Sequence, residues 1–252
     1  MTSTTFKDHF SGNSGEYRKY RPSYPKELFQ FLASLSPSTT VAWDCATGSG
    51  QAAVKLAQYF SSVIATDASI QQAQNAKPTE NVVYEVAQAE NAPILSGSID
   101  LITVAQALHW FNAELFFSEA KRVLKNGGII AVWSYNLLSL TPELDEIIKE
   151  FYQSIVGAYW PAERKHIESG YKNILFPFPQ VSVPHFSMSA EWTLEELKGY
   201  LSTWSAVKRY MENKGSNPID VIANKLFEKW GAQPKLQKVT WPLSLIIGKN
   251  ST

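Results

Sequence analysis

The chain has 252 residues, 44% of them hydrophobic, which is enough for one large domain with a substantial core. Its 23 Lys and Arg residues balance 23 Asp and Glu residues, and this zero formal net charge argues against a broad nucleic-acid surface. Cys45 is the one cysteine, so an internal disulfide and a cysteine-rich zinc site are excluded. A polar N-terminus and the lack of a long apolar run predict a cytoplasmic protein without a membrane partner. No metal site is expected, because metal-ligand spacing is lacking among the histidines, His9, His109, His166 and His185.

Short apolar segments with the length of buried strands alternate with helical patterns over the first 134 residues. Strands are predicted at residues 41–43, 63–67, 82–86, 99–104 and 129–133. Apolar side chains repeat at i, i+3, i+4 and i+7 on one helix face, at Ala53, Leu56, Ala57 and Phe60. Ser69 and Asn112 can cap two further helices. This alternation predicts an α/β, Rossmann-like, mainly parallel sheet with helices on both faces.

The pattern changes after Ser134, where helical segments dominate. Helices are predicted to begin at three capping residues, Thr141, Thr193 and Asn217. Strands are predicted at residues 181–187 and 239–247, which brings the expected number to seven. We therefore expect a single domain over residues 1–252, with a core of about 36–135 plus the C-terminal strands, and a helical cap of about 137–230.

The segment Asp44–Gly50 follows the first predicted strand and precedes the first predicted helix. Its glycines let the backbone pass close to a ligand, and a helix start offers unpaired N–H groups. The carboxylate of Asp44 would repel a pyrophosphate but suits an ammonium group. Gly48–Ala53 also fits the loose dinucleotide pattern G-x-G-x-x-A, and Asp67 has about the spacing expected for a ribose contact. A nicotinamide-dependent oxidoreductase is therefore one open alternative.

Polar residues lie at or just past the predicted carboxyl ends of four strands, at Asp44, Asp67, Gln106 and Ser134. In a mainly parallel sheet these ends share one edge, and ligands bind there, near the point where the strand order reverses. The sequence therefore predicts that these separate segments converge on one crevice.

Six ordered motifs resemble those of the class I S-adenosylmethionine (SAM)-dependent methyltransferases. They are Asp44–Gly50, the strand-ending Asp67, Ala87–Pro93 ("A-E-x-x-P"), Ser98–Ile102 ("s-f-D-l-v"), Ala107–Phe111 ("a-l-H-W") and Arg122–Gly128 ("r-v-L-k-p-G-G"). Tyr17–Pro25 is similar to the "Y-x-x-x-R-P-x-Y-P" lead of one branch of the methyltransferase type 11 group. That branch includes trans-aconitate methyltransferase-like proteins, which methylate carboxylates. The resemblance covers roughly residues 10–135 and is weaker after Ser134.

The resemblance implies a SAM site whose residues follow from the motifs. Asp44 would face the methionine ammonium, directly or through water, and Asp67 would accept hydrogen bonds from both ribose hydroxyls. Ala89 and Glu90 would border the adenine, and Gln106 would contact the methionine moiety. Further implied cofactor residues are Tyr20 and Arg21, which close over the cofactor, and Ala46, Thr47, Gly48, Gly50 and Ala68. Two plainer alternatives stay open, in which Asp67 only caps a helix and Glu90 is a solvated turn residue.

Two departures from the family pattern bear on that site. Ala46 stands where the first motif has a glycine, and its methyl group fits only if the local φ is negative, at the cost of a tighter pocket. Gln88 replaces an acid that usually precedes the adenine-contacting residue, so an adenine contact would come from the backbone or from Glu90. These departures keep a third alternative open, a protein that binds SAM without catalysis.

The resemblance also implies a small-molecule methyl acceptor. A carboxylate acceptor needs no general base, whereas a hydroxyl or amine does, and His109 is then the candidate. The candidate substrate contacts are aromatic residues, namely Tyr17, Trp110, Trp133 and Tyr135. An N-terminal lid of about residues 8–25 and the helical cap would exclude water from a protein expected to be a monomer or homodimer. Basic residues of the cap are expected on solvated faces, although one of them could anchor an acidic substrate; they are Arg164, Lys165, Lys208 and Arg209.

Overall fold

The computed structural model describes residues 20–231 and 235–251. The strands are β1 (Val41–Cys45), β2 (Ser62–Asp67), β3 (Val82–Val86), β4 (Ile99–Ala105), β5 (Leu124–Tyr135), β6 (Ser187–Trp192) and β7 (Gln237–Lys249). The α-helices are α1 (Lys26–Leu35), α2 (Gln51–Leu56), α3 (Ile70–Asn75), α4 (Ala113–Val123), α5 (Pro142–Glu150), α6 (Arg164–Glu168), α7 (Leu194–Ser202), α8 (Ser205–Lys214) and α9 (Asp220–Trp230). Short 3₁₀ helices span Leu108–Trp110 and Gly157–Tyr159, and a π-helical turn spans Phe151–Ile155.

The strands form one seven-stranded sheet in the order β3-β2-β1-β4-β5-β7-β6. Strands β1 to β5 pair in parallel, whereas β7 runs antiparallel to both of its neighbours, β5 and β6. The predicted Rossmann-like, mainly parallel, seven-stranded sheet is therefore confirmed. The strand order reverses between β1 and β4, which is where such sheets bind their ligands.

The residues of β5 alternate between two apolar cores, one on each face of the sheet. Ala131 and Trp133 belong to the core that includes Phe29 of α1, and α5, α7, α8 and α9 extend this core. Ile130 and Val132 belong to the core that contains Phe116 of α4. Period-two alternation along one strand thus fixes which helices cover which face. No helix within the described residues is long and apolar enough to cross a membrane.

Asp100 fastens three strands together at the amino edge of the sheet, opposite the ligand edge. Its buried carboxylate accepts hydrogen bonds from the backbone N–H of Val41, from Ser38 Oγ and from Lys125 Nζ, the last at 2.8 Å. Burial would raise the pKa of Asp100, but Lys125 and the other donors together lower it. The aspartate of the "s-f-D-l-v" motif therefore has a structural role, which is to join β1 and β5 to the start of β4.

Four helices begin at the capping residues that the sequence predicts. The side chains of Ser69, Asn112, Thr141 and Thr193 all accept the predicted capping hydrogen bonds, and Thr193 forms a complete capping box with Glu196.

The strand predicted at residues 181–187 is wrong, because β6 begins only at Ser187. Pro184 has no N–H to give to a ladder, and it interrupts the predicted segment. Strand β5 also begins earlier than predicted, at Leu124 rather than Ile129. The range predicted for the helical cap contains β6, which is part of the sheet.

Candidate cofactor and acceptor site

Asp44 lies at the centre of the carboxyl edge, next to the end of β1. It is 1% exposed, and both of its oxygens accept hydrogen bonds. The hydroxyl of Thr47 lies 2.6 Å from Oδ2, and the hydroxyl of Thr103 on β4 lies 2.7 Å from Oδ1. These contacts join the glycine-bearing loop to the neighbouring strand. Thr103, which the sequence analysis did not single out, is thus a partner of the first motif.

Burial raises the pKa of Asp44 to about 6, because water no longer solvates the charged form. Hydrogen bonds from Thr47 and Thr103 lower this pKa in part, and the nearby Asp67 raises it. Among the ion pairs of the described residues, none involves Asp44. A buried carboxylate of this kind is stabilised by a ligand that brings a positive charge.

The loop after β1 bends through three left-handed residues at alternate positions. The φ angles of Ala46, Gly48 and Gly50 are +55°, +55° and +82°. The negative φ that would accommodate Ala46 without strain is therefore not found, and alanine occupies a conformation that favours glycine. At Gly50 a Cβ atom would lie 2.5 Å from the Tyr84 hydroxyl, so the close approach of Tyr84 also requires glycine.

Asp67, the last residue of β2, holds this loop in place. Its Oδ2 accepts a hydrogen bond from the backbone N–H of Gly48 at 2.8 Å, and its Oδ1 accepts one from Ser69 N–H at 2.9 Å. The two oxygens therefore point in different directions at the carboxyl edge, beside the half-buried Ala68. Each carboxylate oxygen has two lone pairs, so an oxygen of this kind can accept from more than one donor, for example from a backbone N–H and a ribose hydroxyl.

The turn after β3 lies beside the end of β2. The backbone N–H of Ala87 donates to the Asp67 carbonyl, and Ala89 is buried. Glu90 is a half-exposed turn residue, and its Oε1 accepts a hydrogen bond from the backbone N–H of Asn112 at 2.8 Å. Glu90 thereby fixes the start of α4 relative to this turn.

Three buried polar atoms at the ends of β4 and β5 have no hydrogen-bond partner within residues 20–231 and 235–251. They are Gln106 Oε1, Trp133 Nε1 and Ser134 Oγ. Gln106 also has a φ of +57°, and its Nε2 donates to the Tyr135 carbonyl. Buried polar atoms are nearly always paired, and backbone strain clusters at functional sites. Together these features indicate that ligand atoms bind at this edge.

Tyr20 and Arg21 pack onto α7 and the end of β5. The Arg21 guanidinium donates to the Tyr135 hydroxyl at 2.8 Å and lies 5.3 Å from the centre of the Tyr200 ring. The Tyr20 ring lies against Gly199, where a Cβ atom would come within 2.5 Å of it. Tyr17, the remaining candidate of this segment, lies outside the described residues. Trp133 is fully buried and packs edge-on against Tyr24 and Phe29.

His109 lies on the 3₁₀ helix after β4, in contact with the ring of Trp110 at 4.7 Å. Its Nδ1 lies 3.0 Å from the hydroxyl of Tyr171, a residue with a φ of +63°. Burial, together with the charges of Arg164 and His166, lowers the pKa of His109 to about 3. The imidazole is therefore neutral throughout the physiological pH range.

Arg164 does not lie on a solvated face as expected, because it is half-buried against Tyr152 and Trp160 and reaches the residue that follows β5. Its Nη2 donates to Asn136 Oδ1 at 3.0 Å and its Nε to the Tyr152 hydroxyl at 2.8 Å. The Trp160 ring covers the guanidinium at 4.6 Å. Lys165, in contrast, is exposed as expected. Sequence reasoning missed Tyr171 and Asn136, which carry no motif signal.

The fold and the site together define a class of protein. A sheet with a single antiparallel strand at β7, a glycine-bearing loop after β1 and a carboxylate at the end of β2 are the features of a class I SAM-dependent methyltransferase. The residues also fit SAM chemically: a buried carboxylate that forms no ion pair among the described residues suits an ammonium, and a second carboxylate suits a diol. Comparison with known proteins agrees with this assignment.

The family model described as "Methyltransferase domain" matches residues 43–132. A Dictyostelium discoideum protein named "Putative methyltransferase" is 35% identical over 98% of this chain and 97% of its own length. A solved structure of a "Putative Type II Methyltransferase" from Anaeromyxobacter dehalogenans is 37% identical, with a TM-score of 0.87 over 91% of this chain and 98% of the other. The chain belongs to the class I SAM-dependent methyltransferases, so its cofactor is SAM rather than a nicotinamide nucleotide.

Proposed function

We propose that this enzyme transfers the SAM methyl group to a carboxylate oxygen of a small molecule. SAM supplies a methyl group on a sulfonium: the C–S bond breaks as the O–C bond forms, which leaves S-adenosylhomocysteine and a methyl ester. A carboxylate is already deprotonated at neutral pH, so this transfer releases no proton and needs no base. The task of the protein is then to bind, to orient and to exclude water.

The state of His109 is the observation that carries the proposal. Its pKa of about 3 makes it a poor proton acceptor at neutral pH, and its Nδ1 already contacts the Tyr171 hydroxyl. A hydroxyl or amine acceptor would need a base at this position, whereas a carboxylate would not. His109 then serves as a neutral group that orients the acceptor beside Trp110.

The proposed cofactor contacts follow the geometry of the carboxyl edge. Asp67 would accept from the ribose hydroxyls, and Asp44 would stabilise the methionine ammonium. The unpaired atoms of Gln106 and Ser134 would complete the polar contacts. Tyr20 and Arg21, packed on α7, would close the site from the N-terminal side and reduce the access of water.

Cofactor binding is tested by calorimetric titration with SAM and with S-adenosylhomocysteine. The wild type is expected to bind both, and Asp67→Ala to weaken binding at least tenfold, because two lost carboxylate hydrogen bonds are worth roughly 1.5–3 kcal/mol each. Glu85→Ala is the matched control, since Glu85 is an exposed acid on neighbouring β3. Equal affinity of Asp67→Ala and wild type would contradict the proposed ribose contact.

The acceptor class is tested by measuring S-adenosylhomocysteine formation with matched acids, alcohols and amines of the same carbon skeleton. We expect turnover with acids, methyl esters as products, and a kcat that does not rise between pH 6 and 9, because no base must be deprotonated. Turnover restricted to alcohols or amines would contradict the carboxylate acceptor while leaving the methyltransferase assignment intact.

A further inference from the structure

Arg164 is a half-buried cation without an acidic partner. Within residues 20–231 and 235–251, no ion pair closer than 4.0 Å involves it. Its nearest acidic link is indirect, because Glu168 accepts a hydrogen bond from the Tyr152 hydroxyl, which in turn accepts one from Arg164 Nε. A guanidinium withdrawn from water is costly unless it is paired, so this arrangement is poised for an anion.

The neighbours of Arg164 fix its orientation but leave some of its guanidinium N–H groups available to a ligand. Nε is committed to Tyr152 and Nη2 to Asn136, whereas Nη1 has no hydrogen bond within the part of the chain that the structure describes. The Trp160 ring lies 4.6 Å from Cζ and covers one face. A guanidinium held in this way offers the planar pair of N–H groups that matches a carboxylate.

This cation lies at the carboxyl edge of the sheet. Asn136, which receives its hydrogen bond, directly follows β5, and the positive charge of Arg164 acts on both His109 and Tyr171. The guanidinium is therefore near enough to the imidazole to act on its charge, and it lies at the end of β5 that also carries the unpaired Ser134 hydroxyl.

We propose that Arg164, oriented by Asn136 and Tyr152 and covered by Trp160, forms a subsite that binds a carboxylate of the methyl acceptor. This subsite rests on the proposed function, and in it the guanidinium of Arg164 selects the acceptor. A planar carboxylate suits a single flat guanidinium next to an indole ring, whereas a phosphate monoester carries more charge than one cation balances.

The experiment is a calorimetric titration of protein saturated with S-adenosylhomocysteine, using acids paired with their amides. The pairs are acetate and acetamide, succinate and succinamide, and benzoate and benzamide, and inorganic phosphate is a further probe. We expect at least one acid to bind at least tenfold more tightly than its amide. Arg164→Gln should lower the affinity for that acid at least tenfold. Arg164→Lys should lower it by an intermediate factor, because lysine keeps the positive charge but lacks the planar N–H donors of a guanidinium.

Lys165→Gln is the matched control, since it removes the same charge from an exposed neighbour, and it should bind the acid like the wild type. Unchanged acid binding in Arg164→Gln, equal binding of acids and amides, or no binding of any acid to the wild type would overturn the subsite. Binding of phosphate more tightly than every acid would overturn its assignment to a carboxylate. If Arg164→Gln does not fold, two other measurements test the subsite. They are the affinity of Arg164→Lys for the acid and the ratio of the wild-type affinities for the acid and its amide.

The same titrations separate this subsite from the proposed function. Absence of S-adenosylhomocysteine binding to the wild type contradicts the cofactor site itself. Normal S-adenosylhomocysteine binding together with no preference for acids contradicts only the role of Arg164.

Discussion

The Tyr171 hydroxyl lies 3.0 Å from Nδ1 of His109, so the direction of this hydrogen bond depends on which ring nitrogen carries the imidazole proton. Burial raises the pKa of Tyr171 more than the nearby backbone and the charge of Arg164 lower it, so the hydroxyl keeps its proton at neutral pH and can donate it. We predict that it donates to Nδ1. A neutral imidazole bonded in this way carries its proton on Nε2, so His109 would keep an N–H donor on the nitrogen that does not contact Tyr171.

Tyr171→Phe is expected to lower kcat about three- to tenfold with little change in the KM for SAM. Phenylalanine keeps the ring but removes the proton that selects the tautomer, so both tautomers of His109 become populated. Nitrogen-15 NMR of the His109 ring should show a single Nε2–H form in the wild type and a mixture in the variant. This spectroscopic change would not follow from a purely structural role of Tyr171.

Tyr159→Phe is the control for this prediction, because Tyr159 contacts Tyr210 through its ring and no hydrogen bond of its hydroxyl is found in the described residues. It should leave kcat and the His109 spectrum unchanged. A wild-type spectrum with the proton on Nδ1 would contradict the assigned tautomer.

Asp44→Asn should raise stability at neutral pH while it weakens cofactor binding. The pKa of Asp44 is about 6 in the folded protein against an ordinary value of 3.8, so the folded state holds this proton more tightly than the unfolded chain does. The free energy of unfolding therefore falls as the pH rises from about 4 to 6. Above pH 6 the reduction caused by the buried charge is constant, at up to about 3 kcal/mol. Asparagine removes the buried charge; its oxygen still accepts from one threonine hydroxyl, and its NH2 group donates to the other, whose own proton must then turn away.

The measurement is the difference in melting temperature between Asp44→Asn and wild type across the pH range. This difference should be near zero at pH 4, should become positive through pH 6, and should stay constant above pH 7. The affinity for SAM should fall at least tenfold in the variant at pH 7.5, because the ammonium loses its counter-charge. A variant less stable than wild type at pH 7.5 would contradict the raised pKa.

Local sequence signals predicted what depends on neighbours along the chain. The side-chain caps of Ser69, Asn112 and Thr193 and the period-two pattern of β7 require only a few adjacent residues, and all are found. The fold followed from the alternation of strands and helices, and the cofactor motifs followed from resemblance.

Contacts that depend on tertiary structure could not be predicted in this way. Asp44 and Thr103 are 59 positions apart, and Arg164 lies 28 positions from Asn136, so no sequence spacing links either pair. Arg164 in particular resembles any surface cation until the fold places it beside Asn136 and Tyr152. The positive φ of Ala46 was also hidden, because alanine gives no signal for a left-handed conformation.

Ala46→Gly should stabilise the protein by about 0.5–1 kcal/mol. Alanine in the left-handed region costs roughly 1–2 kcal/mol, and glycine removes this cost. Glycine also gives the unfolded chain more conformational entropy, which offsets part of the stabilisation. For a chain of this size the melting temperature should rise by about 1–4 °C. Ala57→Gly is the control, since Ala57 has a φ of −57° and should lose stability. A lower melting temperature of Ala46→Gly would contradict the strain.

Gly199→Ala tests whether Tyr20 and Arg21 close the cofactor site. Alanine favours the interior of α7 by about 1 kcal/mol, so stability should not fall, yet its Cβ would lie 2.5 Å from the Tyr20 ring. Tyr20 must therefore move, and Arg21 next to it should lose its hydrogen bond to Tyr135. We expect the affinity for S-adenosylhomocysteine to fall three- to tenfold at an unchanged melting temperature.

A double-mutant cycle identifies the cause of that loss. On a Tyr20→Ala background, Gly199→Ala no longer meets a ring, so the second substitution should have no further effect on affinity. Gly157→Ala is the matched control in the single-variant series, because a Cβ at Gly157 meets only the Tyr152 carbonyl oxygen, at an ordinary 3.6 Å. If Gly199→Ala weakens binding equally with and without the Tyr20 ring, the loss arises within α7, and the segment containing Tyr20 does not close the site.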